Sequence, residues 1–386
     1  MTKLQSIIDR VNNVKSNTKN KIILEKEYIM TRLNNTLEPN IMKDYAKLFY
    51  NASNDELKIV HQFRKHKQYN KFLEWFEKKP INFYRKDIIL PQDEMFYELK
   101  QMLYINSFIP IEMIYHYECT NLIGKKYIHE DDTVYIYSEF EDRFDKISID
   151  KIFLIISTMR NLFLNNQPLK IRIILSDYPK KLNKNIITPQ NVNSGSSQMG
   201  SINIWRLEEF YKVLIHELLH CYHGDLSDLN INNKYIKKRY PVCGLVRPNE
   251  AYTEGITTLL YPILMNSITK EEEMEKYLQI QIKHFVNQWN KILWYLKINP
   301  NEFSKNNRYI MLNQTTAVLS YYYLKMNFIS NKQMWLNDFD ITTFKMPANK
   351  SNIILMSMTA HASEFVSNKP NFGKPESLSI RMTKKI

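Results

Sequence analysis

Apolar positions change their period along this chain, and the change divides it in two. Over residues 1 to about 80 they recur at helical spacing, with Ile7, Ile8 and Val11 on one stripe and Phe63, Phe72, Trp75 and Phe76 on another. His61 and His66 are scattered among lysines there and read as solvated, and Pro80, Pro91 and Pro110 punctuate the next stretch of chain. From about residue 130 strand and helix periods alternate. Thr133 to Tyr137 and Leu169 to Leu175 read as strands, Ile149 to Phe163 as a helix, and Ile202 to Trp205 as a short alternating strand. Between them, Asn191 to Ser197 reads as a turn or a ragged sheet edge. A helix through Glu208 to His220 comes next, then a second from Asn249 to Leu264 with Pro248 near its first turn, where a missing N–H costs nothing. Beyond residue 265 the pattern is mainly helical, over Glu271 to Tyr295 and Thr315 to Met326. The expectation is an α+β protein with no internal repeat: a helical N-terminal region over 1–125 that braces the rest or binds a partner or substrate, and a second unit over 126–386. That unit holds a small sheet with two site-bearing helices in 126–265 and a helical lobe in 266–386.

The chemistry concentrates on the two helices of the middle region. His216 and His220 stand four apart in His216-Glu217-Leu218-Leu219-His220, so on a helix both imidazoles face one way and can reach a single metal ion. Glu217 points close to that ion and can accept a proton from water there, the chemistry of a zinc hydrolase. Glu250 and Glu254, in Asn249-Glu250-Ala251-Tyr252-Thr253-Glu254, also share a face. One of the two can be the third ligand while the other holds a ligand histidine in place. The competing description is a buried amphipathic helix with two ordinary histidines, Leu218 and Leu219 simply being core.

This pairing resembles the gluzincin metallopeptidases, the thermolysin-like and aminopeptidase-like group, over roughly residues 190 to 265. The resemblance implies a zincin-like catalytic domain with a small twisted sheet, one Zn²⁺ per chain on His216, His220 and Glu250, and Glu217 as general base. It puts Glu254 behind one of the histidines as a hydrogen-bonding partner. It further implies an edge strand able to pair with an extended peptide; Asn193, Ser194 and Gly195 are the candidates, a plain surface loop being the alternative. The family also supplies a donor to the oxyanion from the C-terminal region. Val318, Tyr322 and Met326 share a face at helical spacing, which singles out Tyr322, with His284, His361 and Arg381 as the other options.

The chain departs from the pattern in two ways. The gap from His220 to Glu250 is longer than in thermolysin-like enzymes and carries a polar, basic insertion from Asp225 to Arg239, expected as a surface loop. The aminopeptidases' Gly-x-Met-Glu-Asn strand is missing, which favours an endopeptidase. His216 to Gly224 is also similar to the neurotoxin light chains, whose paired glutamates are not matched, so Glu254 stays open as the direct ligand. A looser likeness, over Asn193 to Glu254, is to uncharacterised metallopeptidase-like proteins of large DNA viruses. His223 lies about 10 Å further along the axis than His216 by helical rise. It reads as a rim residue, with Gly224 as the helix stop.

Bulk properties narrow the setting. The 386 residues are 44% hydrophobic and 13% aromatic, enough for a true core. No apolar run is long enough to cross a bilayer, Ile152 to Leu164 being short and broken by Arg160. The first residues lack the apolar stretch of a secretory signal, and Cys119, Cys221 and Cys243 have no paired spacing. The expected setting is a reduced intracellular compartment, cytoplasmic or virion-packaged. The formal charge of +13 is spread along the chain and mostly lysine, as a Lys-, Asn- and Ile-rich composition produces, so nucleic-acid binding has no support beyond that charge. The partner expected is a protein or peptide substrate, without membrane. A second function class is a catalytically inactive zinc-containing structural or interaction protein, including a basic virion component.

Overall fold

The computed structural model describes residues 86–182, 186–198, 200–225, 233–265, 271–300, 303, 311–335 and 351–359. The apolar stripes and histidines expected before residue 80, and His361 and Arg381, lie outside them.

In chain order the sheet begins with β1 (Lys86–Ile89), followed by α1 (Gln92–Ile105) and α2 (Ile111–Cys119). Then come β2 (Ile123–His129), β3 (Asp132–Ser138), α3 (Ile149–Phe163) and β4 (Lys170–Ile174). A short turn of helix, α4 (Pro189–Val192), leads into β5 (Gly195–Gln198) and β6 (Ser201–Ile204). The six strands lie in the order β1-β2-β3-β4-β6-β5. The β3, β4 and β6 strands run parallel, and β5 returns antiparallel to β6 at the sheet's end. The N-terminal boundary expected at residue 125 falls inside β2. Lys125 and Lys126 interrupt the apolar alternation there, yet antiparallel pairing with β3 carries the strand.

Period-two alternation builds two packed faces. Val134 and Ile136 of β3, Ile171 and Ile173 of β4, and Ile202 and Ile204 of β6 enter the larger core. Tyr135 and Tyr137 turn the other way, against Leu99, Met102 and Leu103 of α1 and Met113 of α2. That second face also takes a charge. Glu98 of α1 accepts from Arg172 Nε at 2.7 Å and from Lys170 Nζ at 3.0 Å, which ties α1 to β4.

The remaining elements are α5 (Phe210–Cys221), α6 (Asn233–Arg239), β7 (Val242–Gly244), α7 (Pro248–Leu264), α8 (Glu271–Tyr295) and β8 (Leu312–Gln314). A π-helical turn (Leu319–Leu324) runs into α9 (Lys325–Ser330), and α10 (Ser351–Thr359) closes the described chain. The Asp225–Arg239 insertion is therefore not all surface loop: Asn233–Arg239 is helical and Ile236 is fully buried. The molecule is mixed helix and strand, as expected. Among the described residues no helix is long and apolar enough to cross a membrane.

α5 is buried along most of its length, lying against β5, β6 and α3 on one side and α7 on the other. Its end is set by His223, which adopts a left-handed conformation (φ 56) and lets Gly224 N–H donate to Leu219 O at 2.8 Å. Gly224 serves by size instead: a Cβ there would stand 2.8 Å from Phe163. α7 starts on Pro248, and Gly255 in its middle lets Phe328 of α9 approach, since a Cβ would meet that ring at 2.5 Å.

Candidate metal centre

α5 and α7 bring three donor atoms together. His216 Nε2 and His220 Nε2 are 3.0 Å apart, and Glu250 Oε2 lies 3.5 Å and 3.4 Å from them. Donors held about 2.0–2.1 Å from a tetrahedral zinc ion stand about 3.3 Å from one another. The triangle therefore has the size of one face of such a site, and His216, His220 and Glu250 can hold a metal ion. A second observation agrees. Glu250 Oε2 is buried and accepts no hydrogen bond, an arrangement that costs free energy unless a cation completes it. Glu250 also sits in the first turn of α7, where the helix dipole favours an anion.

The atoms behind the donors settle how each ring is held. His220 Nδ1 lies 2.6 Å from Asp225 Oδ2, and His216 Nδ1 lies 3.0 Å from Glu254 Oε1, off the straight hydrogen-bond line. Both imidazoles thus turn Nε2 toward the shared point, each with a carboxylate behind it. The other oxygen of Glu254, Oε2, accepts from Lys212 Nζ at 2.6 Å and Lys325 Nζ at 3.2 Å. Both lysines are buried. With Oε1 facing His216 and Oε2 bound by two lysines, Glu254 has no oxygen left for an ion, whereas Glu250 has one. Sequence reasoning missed Asp225, Lys212 and Lys325.

The charges are mutually stabilised. Burial raises the carboxyl pKa of Glu250, but His220 and His216 outweigh it and hold the group far below the ordinary range. Burial likewise opposes ionisation of Glu254, and Lys212, Lys325 and His216 overcome it. Burial disfavours protonated His216, yet Glu250 and Glu254 raise its pKa. For His220 the same penalty is overcome by Glu250 and Asp225, and its pKa lies well above the usual value. Burial pulls Lys325 down to about 7 despite Glu254. Glu217 differs from the other two glutamates: burial raises its pKa, against the pull of His216, His220 and a hydrogen bond with Ser197.

The two histidines, Glu217, Glu250, Glu254 and Asp225 line a cavity of about 500 Å³. Asn193, Ser194 and Gly195 lie in its wall with Ser196 and Ser197 of β5, the sheet's terminal strand. Arg206, fully buried, clips this wall in place by donating to the carbonyls of Asn193, Gln190 (2.8 Å) and Tyr178 (3.0 Å). Asn106, in the turn between α1 and α2, donates to Ser196 Oγ at 2.6 Å, and Phe108 of the same turn joins the lining.

Tyr322 does not reach the cavity. Its side chain is fully buried with Val318 and Met326, and its hydroxyl has no hydrogen-bond partner. Tyr321 lines the cavity instead. The expectation rests on α-helical spacing, whereas the π-helical turn over Leu319–Leu324 shifts the faces. Val318, Tyr322 and Met326 are all buried, but in the core and not at the cavity. His284 on α8 and the exposed His223 are not in the lining either.

No known protein-family profile matches the chain, and no curated protein does. Among solved structures it is similar to an aminopeptidase N family protein from Idiomarina loihiensis, at 11% identity and a TM-score of 0.27. That likeness covers 64% of this chain and 42% of the other, so the chain spans under half the length of that protein. A superposition that loose carries no functional weight.

Proposed function

We propose that this chain is a zinc-dependent endopeptidase with a zincin-like catalytic unit. The observation that carries the reading is the triangle of His216 Nε2, His220 Nε2 and Glu250 Oε2, set in a cavity whose wall is a terminal strand and which also holds a buried glutamate of raised pKa. Three protein donors suit a catalytic rather than a structural zinc, which is normally closed by four. Zinc bound there would supply a Lewis acid that polarises a carbonyl and brings the pKa of water toward neutrality.

The chain's own residues would do the rest. Glu217 would accept the proton of the attacking water and pass it to the leaving amine; a pKa moved up toward the working pH suits a group that must both take and give a proton. Tyr321 would donate its hydroxyl to the developing oxyanion. Among the described residues β5 has only β6 as a sheet neighbour, so its outer backbone groups would pair with an extended substrate beside Asn193, Ser194 and Gly195. Among the described residues the carboxylates of the cavity are Glu217, Glu250, Glu254 and Asp225, and each already has a role. None of these is left to anchor a free α-amine, which favours cleavage within a chain.

Elemental analysis of wild type, His216→Ala and Glu217→Gln, with peptide-library cleavage on the same preparations, tests this. The expected result is one zinc in wild type and in the glutamine variant, none in the alanine variant, and cleavage by wild type alone. Absence of zinc from all three in chelator-free protein, or cleavage by Glu217→Gln, overturns it.

A further inference from the structure

Among the described residues, the cavity contains one charged side chain whose hydrogen-bond donors its surroundings leave open. Lys180 is wholly buried and bound to Glu209 Oε2 at 3.0 Å. Glu254 is neutralised by two lysines, and Asp225 faces His220. Arg247 is different. Its side chain is 50% exposed, and the nearest carboxylate oxygen, Glu250 Oε1, stands at 3.8 Å. That is beyond hydrogen-bond length. Its backbone is nevertheless fixed: Arg247 N–H donates to Ser320 Oγ at 3.2 Å, and Pro248 begins α7 directly after it. The result is a guanidinium on a rigid base at the cavity wall, with its donors unspent.

We propose that Arg247 selects substrates by binding a carboxylate, so that the peptides this site takes are acidic near the position of cleavage. This rests on the peptidase reading for the ligand being a peptide. The guanidinium plane presents parallel N–H donors that match the two oxygens of a carboxylate, and such charge-assisted pairs are the strong ones. Once Glu250 is engaged with an ion its charge no longer answers that of Arg247, and a substrate carboxylate takes over that role. The rest of the lining among the described residues is compatible with this: Phe108, Leu245 and Ala317 are apolar, Thr315 and Thr316 are uncharged, and the other lining lysine, Lys180, is engaged by Glu209. A carboxylate can come from a Glu or Asp side chain or from the substrate's C-terminus, and the two are separable.

Zinc-loaded Glu217→Gln protein, with Arg247 intact or changed to Gln or Glu, is titrated with labelled degenerate octapeptide pools by fluorescence anisotropy. Two pools are amidated and differ only by Glu or Gln at one fixed position. A third has that Gln and a free C-terminus. Charge-assisted hydrogen bonds of this kind lead us to expect roughly tenfold tighter binding of a carboxylate-bearing pool. The gain should vanish in Arg247→Gln and give way to a preference against acid in Arg247→Glu. A gain confined to the free-carboxyl pool assigns the group to the C-terminus and a gain in the Glu pool to a side chain, and either supports the proposal. Equal affinities, no binding of any pool, or a preference that survives Arg247→Gln overturns it. Wild-type zinc protein incubated with the same pools and read by mass spectrometry keeps the two readings apart. Arg247-dependent binding without cleavage removes the peptidase and leaves the selectivity, whereas cleavage indifferent to charge does the reverse.

Discussion

Glu217 Oε1 lies 2.8 Å from the point where a Cβ on Gly195 would stand, and Val213 Cγ1 lies 2.6 Å from it. Glu217 and the terminal strand are thus in contact through a position that admits only hydrogen. Gly195→Ala should push β5 off α5 or turn Glu217 aside. Misplacement of a reacting group by about 1 Å can cost on the order of 10²-fold in rate. We expect kcat/KM to fall by that order with zinc content unchanged, since His216, His220 and Glu250 do not touch the new methyl. Undiminished turnover in Gly195→Ala would show that the approach of Glu217 to the strand does not matter to the chemistry.

The two tyrosines of the π-helical turn should behave oppositely. Tyr321→Phe removes a hydroxyl from the cavity and should lower kcat by about 10²–10³, the cost of losing one oxyanion donor, with KM and zinc content little changed. Tyr322→Phe removes a buried hydroxyl without a hydrogen-bond partner, so activity should hold and stability should stay level or rise. Steady-state kinetics and urea denaturation of the pair decide between them; a loss of kcat in Tyr322→Phe alone would return the donor role to that residue.

How much of the fold and the site is legible in the sequence depends on the range of the signal. The His216–His220 spacing and the Glu250–Glu254 spacing are local helical facts, and the strands around residues 134, 172 and 203 announce themselves by alternation. Asp225 is not legible as a partner of His220, because it returns to that ring only through the left-handed turn at His223, a conformation uncommon outside glycine. Lys212 and Lys325 carry no sign of burial in the sequence, since lysine is seldom fully buried, and only the fold brings both onto Glu254. β1 and β2 are hidden by their short, lysine-broken patterns. Phe108 enters the cavity wall, and Asn106 reaches Ser196 of that wall, from a turn far away in sequence, which no periodicity could place.

Asp225 and Glu250 should separate cleanly in metal binding. Glu250→Gln removes a donor of the triangle and should abolish tight zinc binding. Asp225→Asn leaves all three donors but loosens His220, and loss of such outer partners typically costs about 10–100-fold in affinity. Competition with a chromophoric chelator measures both. Equal losses would mean that Asp225 itself binds the ion.

Zinc affinity should rise with pH. In metal-free protein the pKa values of His216 and His220 are raised by Glu250, Glu254 and Asp225. Their protonation therefore contributes stability that is fully present below the ordinary histidine value of about 6.5 and is lost as pH climbs through the raised folded values. Zinc needs both rings neutral, so it displaces those protons and gains where they are already leaving. Calorimetry in buffers of different ionisation enthalpy should show proton release at neutral pH, and the zinc-induced gain in Tm should be larger at about pH 8 than at about pH 6. Affinity that falls over this interval would contradict histidine ligation.

Removing Glu254 should harm the fold more than the metal site. Glu254→Gln leaves Lys212 and Lys325 facing each other in the interior without the carboxylate they share. Breaking a buried ion pair in this way typically costs about 3–5 kcal/mol. Burial already pulls Lys325 down to about 7, so this lysine can shed its proton near neutrality. Glu254 holds that value up, so in the variant Lys325 sheds its proton at a lower pH, and the cost should shrink as pH rises toward about 7 and level off above it, where both folded proteins hold Lys325 neutral. Adding Lys325→Met should recover part of the stability at neutral pH by removing the second cation together with its desolvation. Urea denaturation of wild type, Glu254→Gln and Glu254→Gln/Lys325→Met at two pH values checks this. If the double variant is less stable than the single one, Lys325 holds α7 and α9 together by packing, and its charge is incidental.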